Sequence, residues 1–226
     1  MEDMLWRFPH IGEQTFKKLS NKNLAKSRRV TKSWEHFITN QRFYKQKVKY
    51  EMIQKQKDIG GDTRLHKMAK AGNLSECKPI IENVEEKSPM DNCGDTPLYW
   101  AAHYGHYEVC KLIVNNVEEK NQKVDFGFTP LHAAANNGHY EICKLIINNV
   151  DDKNPKSNNG LTPLHFAANN GHYEICLLIV DNVENKNPQA VGGTTPADWA
   201  CYAGHLSIYN LLIYQEPSGE ESEDEN

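Results

Sequence analysis

Thr129-Pro130-Leu131-His132-Ala133-Ala134-Ala135-Asn136-Asn137-Gly138-His139 is one copy of a pattern that recurs along this chain. Working outward from it, threonine returns at Thr63, Thr96, Thr129, Thr162 and Thr195, a step of 33 residues. Glycine stands two residues before each threonine, from Gly61 to Gly193, and again nine residues after it, from Gly72 to Gly204. Cys77, Cys110, Cys143 and Cys176 keep the same step. A fixed period of this length is the mark of a stacked repeat architecture.

Each unit reads physically as a helix pair. Thr129 can cap the free N–H groups of a helix start, and Pro130 suits the first helical position. Leu131, Ala134 and Ala135 form a buried stripe at helical spacing, the alanines allowing close approach of the next helix. Gly138 ends the helix, because a left-handed terminal residue is least strained without a Cβ. Ile142, Leu145 and Ile146 then predict the inward face of a second helix. Asn148-Asn149 and the region of Pro155 lead into an extended connection to the next glycine.

The pattern T-P-L-H-x-A-A-x-x-G-H, in Thr129 to His139 and Thr162 to His172, resembles the ankyrin repeat. The resemblance covers residues 60–215 and implies an all-α solenoid of five 33-residue helix pairs, starting near residues 61, 94, 127, 160 and 193. Each pair would carry a hairpin-like finger. Some positions depart from the pattern: Arg64 replaces proline, Asn73 replaces histidine, and Asn116-Val117-Glu118-Glu119-Lys120 replaces the usual Gly-Ala-Asp turn. Pro79 falls inside a second helix, where proline costs about 3 kcal/mol, and predicts that this helix is bent or shortened. The last unit, with Pro196-Ala197-Asp198, predicts the more polar end that a capping repeat needs.

Residues 1–45 have a different pattern. Apolar residues at Phe16, Leu19, Leu24, Val30 and Trp34 predict short helices over 12–20, 23–29 and 31–40, with a longer basic helical linker over 46–59. Phe8-Pro9, Phe16, Leu19, Leu24, Val30, Trp34 and Phe43-Tyr44 resemble the F-box, with matching spacing from Phe16 to Trp34. One residue fewer separates Pro9 from Phe16, and Thr15 stands where an aliphatic residue is usual. The resemblance implies docking on the Skp-type adaptor of a cullin–RING ubiquitin ligase. Without an adaptor role, the same helices would cap the stack.

The charge is strongly divided. The chain of 226 residues carries a net −4, but residues 1–57 are +9, residues 58–215 are −7 and the tail 216–226 adds six acids and no base. The basic segment invites a nucleic-acid reading, which its core-spaced aromatics and the lack of a nucleic-acid motif disfavour. The acidic tail predicts disorder. No apolar run approaches the roughly 18 residues of a membrane span, and Met1-Glu2-Asp3 lacks the basic start of a secretory signal. Both features predict a cytosolic or nuclear protein, monomeric apart from its partners.

Ten histidines and six cysteines raise the question of metal. The repeat geometry opposes it, because equivalent residues of packed helices lie roughly 8–10 Å apart, whereas zinc draws each ligand to about 2.0–2.3 Å. The same spacing opposes disulfides between the periodic cysteines. No phosphate-binding loop and no nucleophile elbow occur, so the sequence predicts no enzyme and no cofactor. Binding remains. The ankyrin resemblance places partner contacts on a concave face, at His103, Tyr104, Phe126, Phe128, Asn136, Asn137, Leu161, Asn169, Asn170 and Tyr202. Trp100 and Trp199 fall one place deeper, towards the helix interfaces.

Overall fold

The computed structural model describes residues 28–214, with side chains from Asn40 onward except at Gln41 and Phe43. Phe8, Pro9, Phe16, Leu19, Leu24 and the acidic tail lie outside the described residues. Val30 and Trp34 are described in backbone only. The chain divides into two compact units, residues 1–49 and 50–226.

Arg28–Lys55 forms one helix, α1. The break predicted near residue 30, and the separate linker helix, are therefore not observed. No glycine or proline occurs between Arg28 and Lys55, and Lys, Gln, Arg and Glu are all good helix formers. Gly60-Gly61 follows the helix, and the repeating pairs begin after it.

The pairs are α2 (Arg64–Lys70) with α3 (Leu74–Asn83), and α4 (Pro97–His103) with α5 (Tyr107–Val114). They continue as α6 (Pro130–Asn136) with α7 (Tyr140–Ile147), and α8 (Pro163–Asn169) with α9 (Tyr173–Val180). The last is α10 (Pro196–Tyr202) with α11 (Leu206–Ile213). First helices pack on first helices in chain order, and second helices do the same, so two helical layers share one core. Leu65, Leu98, Leu131 and Leu164 fill equivalent sites at 0–2 % exposure; each such burial stabilises the fold by roughly 1.5–3 kcal/mol. The alanine pairs and the periodic cysteines are buried beside them. No strand occurs among the described residues.

Helix termini are satisfied by polar residues that also keep the period. Asn83, Asn116, Asn149 and Asn182 each donate a side-chain hydrogen bond to the carbonyl four residues back, closing the end of the second helix. The N–H of Leu131, Leu164 and Ala197 is accepted by Asn121, Asn154 and Asn187 at 3.0–3.2 Å. For the first pair this role falls to Gln54, whose Oε1 accepts Leu65 N–H at 3.2 Å. Glu51 likewise accepts Glu85 N–H at 2.7 Å. The end of α1 thus occupies the place of a preceding repeat.

Two expectations need correction. Of the bend or shortening expected at Pro79, the shortening is not observed: α3 has 10 residues, against 8 in α5. Cys77, Ile80 and Ile81 are fully buried on one face, and Asn83 closes the last turn on Pro79 O at 2.7 Å. The polar end is also absent, since Tyr202, Leu206 and Tyr214 are 84 %, 64 % and 72 % exposed. The polar change at Asp198 is confined to α10, while α11 keeps the composition of an interior helix.

Candidate partner-binding surface

Between pairs the chain makes a tight finger. Asp91, Val124, Ser157 and Ala190 each donate a backbone hydrogen bond four residues ahead, at 2.7–2.9 Å. Successive fingers are joined by Asn92 N–H to Gly60 O, Asn158 N–H to Phe126 O and Val191 N–H to Asn159 O, at 2.9–3.0 Å. Histidines fix the fingers to the helices. Thr129 N–H donates to His132 Nδ1 at 3.1 Å, and His132 Nε2 donates to Leu161 O at 3.1 Å. His165 repeats this with Thr162 and Thr194, and His66 with Thr63 and Asp95. Burial pushes His132 and His165 down to about 4, so both rings stay neutral and keep the accepting nitrogen that the contact needs. Tyr99 stands in the histidine position of α4, and Asp198 in that of α10. Asp198 accepts Thr195 N–H at 2.9 Å and makes no bond to a following finger.

The predicted face is assembled on this frame. His103 is half-buried and meets the Tyr104 ring edge-on at 4.9 Å. Tyr104 is 50 % exposed and stacks on Trp100 at 5.9 Å, and Tyr99 stacks on His103 at 6.4 Å. Four aromatic rings thus cover one side of α4. Trp100 lies half-buried rather than deep, donating from Nε1 to Asp91 Oδ2 at 3.2 Å.

The two finger phenylalanines part company. Phe126 is 73 % exposed. Phe128 is half-buried, edge-on to His132 at 5.5 Å and to Phe166 at 5.6 Å. Phe166 continues to Trp199 at 5.8 Å, so a ladder of rings runs from the third finger to α10. Leu161 is half-buried; Tyr202 is the most exposed ring of the face. Asn136, Asn137, Asn169 and Asn170 are all exposed, yet not all are free for a partner. Asn137 donates to Ala133 O at 2.9 Å, and Asn170 donates to Asn136 O at 2.9 Å and Oδ1 at 3.0 Å.

Carboxylates at the finger bases escaped the sequence reading. Asp95 is half-buried and is raised to about 6, first by burial, then by the charges of Asp91, Asp125 and Asp62, with Lys70 opposing. Lys70 bonds Asp62 at 2.7 and 3.0 Å and lies 4.0 Å from the Trp100 ring centre. The signal lies in the sequence, since Asp62 and Asp95 directly follow finger glycines and Asp125 stands two residues before Gly127.

Asp62, His66 and Asp91 bring three potential ligand atoms within 4.8 Å of one another. Both His66 nitrogens are already engaged, with Thr63 N–H and Asp95 O, and Lys70 neutralises Asp62. No lone pair is left to His66 for a metal ion. The buried thiols are also inert: burial raises Cys77 to about 11 and Cys143 and Cys176 to about 12.

A family profile described as "Ankyrin repeats (3 copies)" matches the chain over residues 42–124, 65–156, 112–190 and 131–223. Among curated proteins no match is found.

Proposed function

The chain belongs to the ankyrin-repeat family and is thus a protein–protein interaction module; from that premise we propose that it is a substrate-recognition subunit of an SCF-type (cullin–RING) ubiquitin ligase. In this reading residues 1–45 dock a Skp-type adaptor through Phe8, Pro9, Phe16, Leu19, Leu24, Val30 and Trp34. All five helix pairs act as ankyrin repeats, and their finger and first-helix face takes the substrate. The observation that carries the binding role is the row of exposed rings and amides, Tyr104, Phe126, Asn136, Asn169 and Tyr202, on one periodic frame. Exposed aromatics of this kind serve as anchors in interfaces. The adaptor role rests on the spacing from Phe16 to Trp34. The protein acts without catalysis of its own, in the cytosol or nucleus, where thiols stay reduced.

A second reading is a scaffold or inhibitor with no ligase role, in which the N-terminal helices cap the stack. It is favoured by Gln54 and Glu51, which already serve as a terminal cap. The two are separated by a pull-down of adaptor, and of nucleic acid, across a salt series. Wild type is compared with a Leu24→Asp, Val30→Asp variant. Adaptor binding that survives moderate salt and vanishes in the variant supports the ligase role, because desolvated apolar anchors resist screening. Retention of nucleic acid alone, lost steeply with salt, overturns it. Binding of neither leaves the scaffold.

A further inference from the structure

The aromatic side of α4 carries four rings, and its most exposed member is Tyr104 at 50 %. It passes without interruption into the fingers: Trp100 bonds Asp91, and the charge of Asp95 bears on Tyr99. Gly94, one residue before Asp95, lies so close to Asp125 that a Cβ on it would meet Asp125 Oδ1 at 2.7 Å. Phe126 follows Asp125 at the finger tip. It has φ +61, ψ 9, and is the one non-glycine residue with positive φ among those described. A bulky side chain in that region is an outlier. The corresponding residue of the next finger, Asn159, avoids positive φ, and that of the last finger is Gly192. The third finger therefore holds a large apolar ring mostly in water at a conformational cost.

The charge beside these rings is one-sided. The charges of Asp91, Asp125 and Asp62 all bear on Asp95, and Lys70 is the cation that opposes them there. Lys70 is committed to Asp62 and the Trp100 face. The Asp95 carboxylate has no hydrogen-bond donor among the described residues. Nearby Lys67 and Arg64 are paired with Asp58 and Glu76.

We infer that this surface, from Tyr104 across Asp95 and Asp125 to Phe126, docks a partner segment that carries lysine or arginine beside an apolar residue. The inference rests on the reading that the finger and first-helix face is the partner surface, and adds the chemistry of the partner. The cation takes the place of a second counter-ion at Asp95 and Asp125, and the apolar residue packs against Phe126. Rings close to the carboxylates add cation–π attraction. An acidic or purely apolar segment would be refused, because it would leave the carboxylates repelled or desolvated.

The test is selection of random peptides displayed on phage against the full chain, followed by anisotropy titration of synthetic copies of the selected clones. Clones enriched in Lys or Arg next to an aromatic or aliphatic residue are expected. They should lose about tenfold or more in affinity, some 1.4 kcal/mol, against Asp95→Asn, Asp125→Asn and, separately, against Phe126→Gly. A Glu118→Gln, Glu119→Gln variant removes the same charge from a loop after the second helix and should change affinity little. The glycine variant should melt no lower than wild type. Equal losses in both charge variants would reduce the binding to net charge and overturn the inference. Clones without basic residues that respond only to changes at Asn136, Asn169 or Tyr202 would overturn it while sparing the partner face. Clones insensitive to every one of these changes would sink both.

Discussion

A side chain on Gly138 would bring its Cβ within 2.6 Å of Cε1 of His172, one repeat further on. The same meeting joins Gly72 to His106, Gly105 to His139 and Gly171 to His205. Each turn glycine thus serves its own left-handed turn and the ring of the next unit. Gly204 has φ +81 as well, but nothing lies within 4 Å of its Cβ site. Gly138→Ala is therefore expected to cost about 2–3 kcal/mol, from left-handed strain and from loss of the 3.2 Å bond between His172 and Asn136 O. Gly204→Ala should cost only about 1 kcal/mol, the strain alone. Urea unfolding of both variants measures the difference, and equal costs would show that the ring contact is immaterial.

Stability should fall on mild acidification. His132 and His165 titrate at about 4 when folded, below the ordinary 6.5. A depressed value means stability that is present above pH 6.5 and is lost as the pH falls towards 4, because the unfolded chain takes the protons first. A loss of about 2–4 kcal/mol across that window is expected. Melting curves of a His132→Gln, His165→Gln variant should start lower at pH 7 and decline less. A parallel decline in wild type and variant would exclude these rings as the cause.

Asp95 works in the other direction. Its folded value of about 6 lies above the ordinary 3.8, so its contribution is favourable at low pH and is lost as pH rises through 6. Asp95→Asn should stabilise the protein at pH 7 by no more than about 1 kcal/mol, since solvent screens a half-exposed group. The gain should vanish near pH 4. Thermal melts at the two pH values decide it, and a variant less stable at pH 7 would contradict the repulsion.

The fold was legible because the step from Thr63 to Thr195 is set by local chemistry: a cap, a proline, an alanine pair, a terminating glycine. Such signals need no knowledge of distant contacts. The course of residues 28–55 was less legible. Val30 and Trp34 have the spacing of short helices, yet helix formers without glycine or proline carry one helix through. In the candidate face, the roles of Phe126 and Phe128 could not be separated by pattern. Both flank Gly127, and only the placement of Phe166 shows which ring is covered. The carboxylates were equally visible as letters, but their mutual repulsion depends on how closely one finger approaches the next.

That separation is directly measurable. Phe128→Ser should lower stability by about 2–3 kcal/mol through lost ring packing, with little effect on the α4 surface. Phe126→Ser should leave the unfolding free energy within about 0.5 kcal/mol of wild type, as for other exposed positions. If Phe126→Ser were the more damaging change, the finger tip would be packed rather than presented.

The thiols divide in the same way. Cys93 and Cys201 are exposed, while Cys77, Cys110, Cys143 and Cys176 are buried. Under native conditions a maleimide should modify the two exposed thiols quickly and the other four only on unfolding, as mass spectrometry can count. Neither dithiothreitol nor EDTA should shift the melting point, because all six cysteines are free. A sharp fall with either reagent would reveal a support that the fold does not contain.

Tyr99 has a consequence for the order of assembly. His66, His132 and His165 each tie their own helix start to the following finger, and α4, with its tyrosine, makes no such tie. The seam lies between the second and third pairs, which are still joined by His139 Nε2 donating to His103 O at 3.2 Å. In a linear array, structure grows where neighbouring units couple best. The third and fourth pairs, linked through His132, His172 and the aromatic ladder, are the natural nucleus. The seam is then crossed late on the way in, and breaks early on the way out, as slow and fast populations in hydrogen exchange.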